Sequence, residues 1–258
     1  MDQISTMRKF VWLVLFLGGC ATLAPKPEAE LLLAAAAGDV EAVREAVARG
    51  TPVDSRNDDG LTALMTASFR DRAEVVEWLL QNGASVGAQD RDGQTALHMA
   101  VTGDALRAIS KLHAAGGSMD PVDAAGVTPL MIAAQKTRTG PLTMLLDAKA
   151  QVDFVDANGW TALHFAASKG EPRLVAALAA AGARVDLRDK AGRTPLYLAV
   201  EDMNTPVAEI LMKAGADPRV ADAAGISAWT LAGRLQLPQM TRVLCARNEL
   251  HKEARCRP

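Results

Sequence analysis

Short apolar runs recur along this chain at a fixed interval. Each follows a glycine and opens on threonine or serine: "GLTAL" at Gly60, "GQTAL" at Gly93, "GVTPL" at Gly126, "GWTAL" at Gly159, "GRTPL" at Gly192 and, weakened, "GISAW" at Gly225. Successive glycines are 33 residues apart. A constant period over six copies, with no insertion, marks a repeat array in which each unit is one supersecondary motif. Thr62, Thr95, Thr128, Thr161 and Thr194 each precede alanine or proline and an apolar run, the pattern of a helix N-cap. A second apolar run places Leu79 and Leu80, Leu145 and Leu146, and Leu211 and Met212 in register. Pro141, Pro172, Pro206 and Pro238 suit the first turn of that second helix. Gly50, Gly83, Gly116, Gly182 and Gly215 suit the left-handed residue that ends it. The pattern predicts helix, short connection, helix, glycine stop and turn, with each unit burying its apolar face only against its neighbours.

Polar columns keep the same register. An acidic or amide residue stands three places before every glycine: Asn57, Asp90, Asp123, Asp156, Asp189 and Asp222. With the turn, the Thr-Pro/Ala-Leu-His/x-x-Ala run and two helices, this resembles the ankyrin repeat over roughly Ala29 to Glu249. The resemblance implies an all-α solenoid of about seven 33-residue helix-turn-helix units joined by β-turn loops. Its divisions are a capping repeat at 29–56, repeats at 57–89, 90–122, 123–155, 156–188 and 189–221, and a C-terminal capping repeat with a charged tail at 222–258. Two departures stand out. Lys149 replaces the closing glycine, at a cost of ~1–2 kcal/mol if left-handed. In the first inter-helix connection, Asp71, Asp104, Thr137 and Met203 stand where one copy has Gly170.

Several residues invite a chemical reading. His98 and His164 stand three residues after a capping threonine, where Met65, Met131, Tyr197 and Thr230 are equivalent. The resemblance gives a histidine there a structural role, bonding the turn to the first helix. A catalytic base would need an orienting partner and a reacting group, which no neighbouring motif supplies. His113 falls in a second-helix column shared with Leu80 and Leu146 and is expected to be partly buried. The aspartate column repeats at the ~8–10 Å spacing of stacked helices, too far for two ligands of one ion. Those carboxylates are read as turn residues bonding their own backbone. No metal, cofactor or catalytic residue is assigned, and the chain is read as a non-enzyme.

Composition narrows the partners. Lys and Arg total 28 against 30 Asp and Glu, for a formal net charge of -2. That excludes a general nucleic-acid binder, which would show a basic face. Aromatic residues make up only 4% while 49% are hydrophobic, an alanine-rich balance that lets helices pack in thin layers.

The N-terminus carries a separate signal. "MRKFVWLVLFLGGC" has Arg8 and Lys9, then an apolar run from Phe10 to Leu17, too short to span a bilayer but suited to a secretory signal. "LGGC" resembles the bacterial lipobox. This implies a signal peptide at 1–19, acylated Cys20 (with palmitate or a similar chain) and a tether to residue 28. The other reading is an ordinary signal with an incidental cysteine. Ala21 lacks the aspartate that holds many such proteins at the inner membrane, so the resemblance implies an outer-membrane anchor. The array would then face the periplasm, with cell-surface orientation the other topology. Translation starts at Met1 or Met7.

The resemblance also implies a protein partner, held on the concave face formed by turn tips and first helices, and a monomer. The tips run from mixed charge (Arg56, Asp58, Asp59; Gln89, Arg91, Asp92) through apolar (Val122, Val127, Val155, Trp160) to basic (Arg188, Lys190, Arg193). Trp160 is expected as the binding anchor, since a tip gains nothing structural from tryptophan; the other reading folds it down on its own repeat. The roles left open are scaffold, inhibitor, and immunity or protective factor. The rivals are a structural envelope protein and an enzyme or ligand carrier with a concave-face site. Cys245 and Cys256 would pair only if the chain turns near Asn248, since one unbroken helix would hold them ~16 Å apart.

Overall fold

The computed structural model describes residues 26–245. The lipobox, Cys20 and most of the tether lie outside the described residues, as does Cys256. Among the described residues fourteen helices run as seven pairs: α1 (Pro27–Ala37) with α2 (Val40–Ala48), α3 (Ala63–Phe69) with α4 (Ala73–Gln81), and α5 (Ala96–Thr102) with α6 (Leu106–Ala114). The order continues with α7 (Pro129–Gln135) and α8 (Thr139–Asp147), α9 (Ala162–Ser168) and α10 (Pro172–Ala180), α11 (Pro195–Glu201) and α12 (Thr205–Ala214), and α13 (Ala228–Arg234) and α14 (Pro238–Cys245). One isolated bridge, Ala221 to Ser227, is the nearest approach to a strand among these residues.

The first helix of each full unit has seven residues, two turns, which would not persist alone in water. Two things hold it. The threonine hydroxyl accepts the third helical N–H at 3.3 Å in α3, α7 and α9. The apolar face meets its neighbours, with Leu64, Leu97, Leu130, Leu163 and Leu196 forming one buried column through five repeats. The second helices add Val75, Leu79, Leu142, Leu145, Leu174, Leu178, Val207 and Leu211 to the same core. α1 begins two residues inside the stretch read as tether. Pro27 is preorganised for the first helical position, and Glu28 and Glu30 face the helix N-terminus.

Turn tips are joined by backbone. Arg91 N–H donates to Asp59 O at 3.2 Å, and Ala124, Ala157, Lys190 and Ala223 repeat the bond to the preceding tip at 2.8–2.9 Å. This contact needs glycine: a Cβ at Gly93 would lie 2.7 Å from Ala124 N, and its φ is 78°. Lys149 is left-handed at φ 64°, as are Asp71, Asp104, Thr137, Met203 and Gln236 at the inter-helix connections.

Candidate functional site

Each turn is closed by its own acid or amide. Asp90 Oδ1 accepts N–H from Asp92 at 2.9 Å and from Gln94 at 2.8 Å. Asn57, Asp123, Asp156, Asp189 and Asp222 make the same pair of bonds. A second acidic column, not singled out in the sequence, ties each repeat to the next. Asp54, Asp120, Asp153 and Asp186 accept the backbone N–H of Ser85, Gln151, Arg184 and Asp217. Its signal was there to find, in "VDSR", "MDPV", "VDFV" and "VDLR" at the same 33-residue register, with Gly87 in one copy that lacks it and Arg219 in the last.

The histidines are structural. His164 Nδ1 accepts the Thr161 backbone N–H at 3.1 Å, and Nε2 donates to Arg193 O in the next repeat at 3.2 Å. His98 does the same with Thr95 and Val127 at 3.1 Å. These bonds select the Nε2–H tautomer. Burial pushes both imidazoles below the usual histidine range, outweighing the carbonyl each donates to and the aspartates nearby. Where methionine replaces histidine, its sulfur receives the threonine N–H instead, at 3.5 Å in both Met65 and Met131. His113, expected to be partly buried, is exposed: it sits in the last turn of α6, beside buried Leu112 but on the solvent side.

The residue preceding each turn acid acts as a clamp in part of the array. Gln89 Nε2 donates to Gly93 O at 3.0 Å and to Val122 O at 3.2 Å. Arg56 serves Gly60 O and Gln89 O, and Arg188 serves Gly192 O and Ala221 O at 3.1 and 2.8 Å. Each thereby bonds its own turn and the one after. At the two middle tips the clamp position holds Val122 and Val155, which cannot donate. Both are exposed, at 42% and 50%.

Trp160, next to these valines, is half-buried. Its ring packs 4.9 Å from Phe165 and 6.1 Å from His164, and Nε1 donates to Asp189 Oδ2 at 3.1 Å. The Arg193 guanidinium lies 5.9 Å from the ring centroid, held by Asp189 at 3.0 Å and Glu201 at 3.4 Å. The expectation that a tip tryptophan has no structural use is therefore corrected. Trp160 joins its own repeat to the next.

A family profile of three tandem ankyrin repeats matches residues 15–90, 31–120, 82–156, 102–189 and 130–222. The chain belongs to the ankyrin repeat family. No curated protein matches its sequence. Among solved structures, the ankyrin repeat domain of Bcl-3, an IkappaB protein family member, is similar at TM-score 0.72 and 26% identity, over 78% of this chain and 92% of that one. An ankyrin repeat domain from Acinetobacter baumannii AYE is 30% identical at TM-score 0.66, over 72% of this chain and 97% of that one. The human ASB11 ankyrin repeat domain gives 0.69 at 25% identity, over 78% and 90%. Ankyrin repeats are in general non-enzymatic scaffolds that bind protein partners.

On this ankyrin array the expected partner-binding residues divide into two groups. Val122 and Val155 are exposed and apolar, Val127 is half-buried beside them, and Arg91, Asp92 and Lys190 stand exposed at the tips. Arg188 and Trp160 make bonds between repeats, and Arg193 is held by Asp189 of its own turn. Among the described residues no group of three or more His, Cys, Asp or Glu could hold a metal ion, and no helix is long and apolar enough to cross a membrane. Cys245 is buried at the end of α14 and is disulfide-bonded; Cys20 and Cys256 both lie outside the described residues.

Proposed function

We propose that this ankyrin protein is anchored through acylated Cys20 in the bacterial outer membrane, faces the periplasm, and binds a protein partner on the face built by its central tips and first helices. In the narrower form of the proposal it is an inhibitor or an immunity factor that occludes an envelope-acting enzyme. The observation that carries the binding reading is the pair Val122 and Val155. At the equivalent position Arg56, Gln89 and Arg188 each clamp two turns, whereas these two forgo those bonds and expose apolar surface at the centre of the array. Apolar residues concentrated at the centre of a face, with polar neighbours outside, are the arrangement of a binding patch. The anchor rests on "LGGC" and the apolar run before it.

The test is a double variant, Val122→Gln with Val155→Gln. Glutamine at these sites restores the clamp seen at Gln89, so the variant folds at least as stably as the wild type and loses its partner. Undiminished recovery of the same partner from envelope extract, with the fold intact, refutes the assigned face. Cys20→Ser moves the protein from the outer-membrane fraction to the soluble periplasmic one; an unchanged membrane fraction refutes the lipid anchor.

A further inference from the structure

Two neighbouring stripes run down this face from tip to helix end. Trp160 packs on Phe165, and Phe165 and Lys169 are four residues apart, on one side of the helix and its cap. Val127, Ile132 and Lys136 hold the same places one repeat earlier. Lys136 and Lys169 are exposed and have no ion-pair partner among the described residues, and the same holds for Lys190 at the tip. The apolar stripe is thus bracketed by cations at both ends, separated by more than the ~10 Å length of a seven-residue helix at ~1.5 Å per residue. Carboxylates of the same two repeats are engaged elsewhere. Asp123 and Asp156 close their turns, Asp153 holds Arg184, Asp186 accepts the Asp217 N–H, and Asp147 and Glu171 stand at the end of α8 and the N-cap of α10. With valine in the clamp position, the carbonyls of Gly126 and Gly159 lack the side-chain donor that serves Gly93 and Gly192.

From this juxtaposition we infer that the partner segment is extended and acidic, with one or two large apolar side chains between carboxylates about three to five residues apart. This rests on the proposed binding face and names the chemistry it selects. The apolar side chains cover Val122, Val155 and the Trp160 edge, backbone N–H groups of the segment bond the Gly126 and Gly159 carbonyls, and the carboxylates meet Lys190 at one end and Lys136 or Lys169 at the other. A basic segment meets like charge at both ends, which disfavours it.

The experiment is fluorescence anisotropy of the full-length chain in detergent with two labelled peptide pools. Both carry Leu, Phe or Trp at the centre, flanked by Asp and Glu in one and by Lys and Arg in the other. The acidic pool binds about tenfold tighter, as for a few partly exposed ion pairs, and added salt narrows the gap. Lys136→Glu with Lys169→Glu removes or reverses the preference. Equal binding of both pools, tighter binding of the basic pool, or a preference untouched by charge reversal overturns the inference. If both pools bind equally and both are lost in the Val122→Gln, Val155→Gln variant, the binding face stands and only the acidic selectivity falls. If neither pool binds, a short acidic segment is overturned as the ligand, while the partner-recovery test above still decides the face.

Discussion

Gly87 interrupts the column of acids between Asp54 and Asp186 that tie each repeat to the next, and filling the gap should stabilise the array. At Asp54, Asp120, Asp153 and Asp186 the carboxylate accepts the N–H 31 residues on, at 2.9–3.1 Å. The same offset from Gly87 reaches Ser118. A Cβ added at Gly87 meets nothing within 4 Å, and its φ lies outside the left-handed region, so the side chain enters without strain. Gly87→Asp then gains about 1 kcal/mol from a solvent-exposed, charge-assisted bond, and ~0.5–1 kcal/mol from reduced freedom of the unfolded chain. At ~2–4 °C per kcal/mol for a domain of this size, thermal melting followed by circular dichroism rises by about 5 °C. Gly87→Ala supplies the entropy without the bond and serves as the control, expected to rise by only ~2 °C. The aspartate's advantage over alanine disappears below the carboxylate pKa of ~3.9. If the two variants melt together at neutral pH, the column does not stabilise the stack in the way argued.

Met203 is left-handed at φ 54° and 63% exposed, so Met203→Gly raises unfolding free energy by about 1 kcal/mol in urea titration. Asp71→Gly at the equivalent place does the opposite, because the Asp71 carboxylate holds Arg107 Nε and Ala108 N–H, both at 2.9 Å. His98 and His164 have pKa values lowered by folding, so the stability they confer is complete above the unfolded value of ~6.5 and is lost as pH falls through the folded values. His98→Met with His164→Met, copying Met65 and Met131, flattens that acid-side loss in melts taken from pH ~7 to ~5; an unchanged slope refutes it. Trp160→Phe removes the bond to Asp189 and costs about 1 kcal/mol, whereas Trp160→Ala also opens the packing on Phe165 and costs about 2–3 kcal/mol, measured by the same denaturation.

Local signals carried the fold. Threonine before an apolar run, glycine after the second helix and the acid before each turn act within a few residues of themselves, and all behave in the structure as their chemistry demands. The structural use of Trp160 was missed because its partner, Asp189, lies 29 residues away in the next repeat, where one-dimensional reading sees only another turn acid. The bond of Arg188 to Ala221 O was missed for the same reason: it crosses between repeats. His113 shares a column with leucines, yet a column fixes only a helical face near the core edge, and a polar ring there turns to solvent. Val122 and Val155 were legible as apolar tips. What they give up became visible only beside the bonds of Arg56, Gln89 and Arg188.

That pair of valines also divides the array mechanically. Side-chain clamps brace the first two tip junctions and the last; at the tip of Val122 only the backbone ladder remains, and at that of Val155 the ladder is joined by the Trp160–Asp189 bond. In a structure whose units touch only their neighbours, curvature is the sum of small rotations at each junction, and the least braced junctions supply most of the bending. The array then behaves as two stiff arms on a compliant middle. A ligand laid across the centre would act as a splint, so that amides in the outer repeats, far from any contact, exchange more slowly once it is bound.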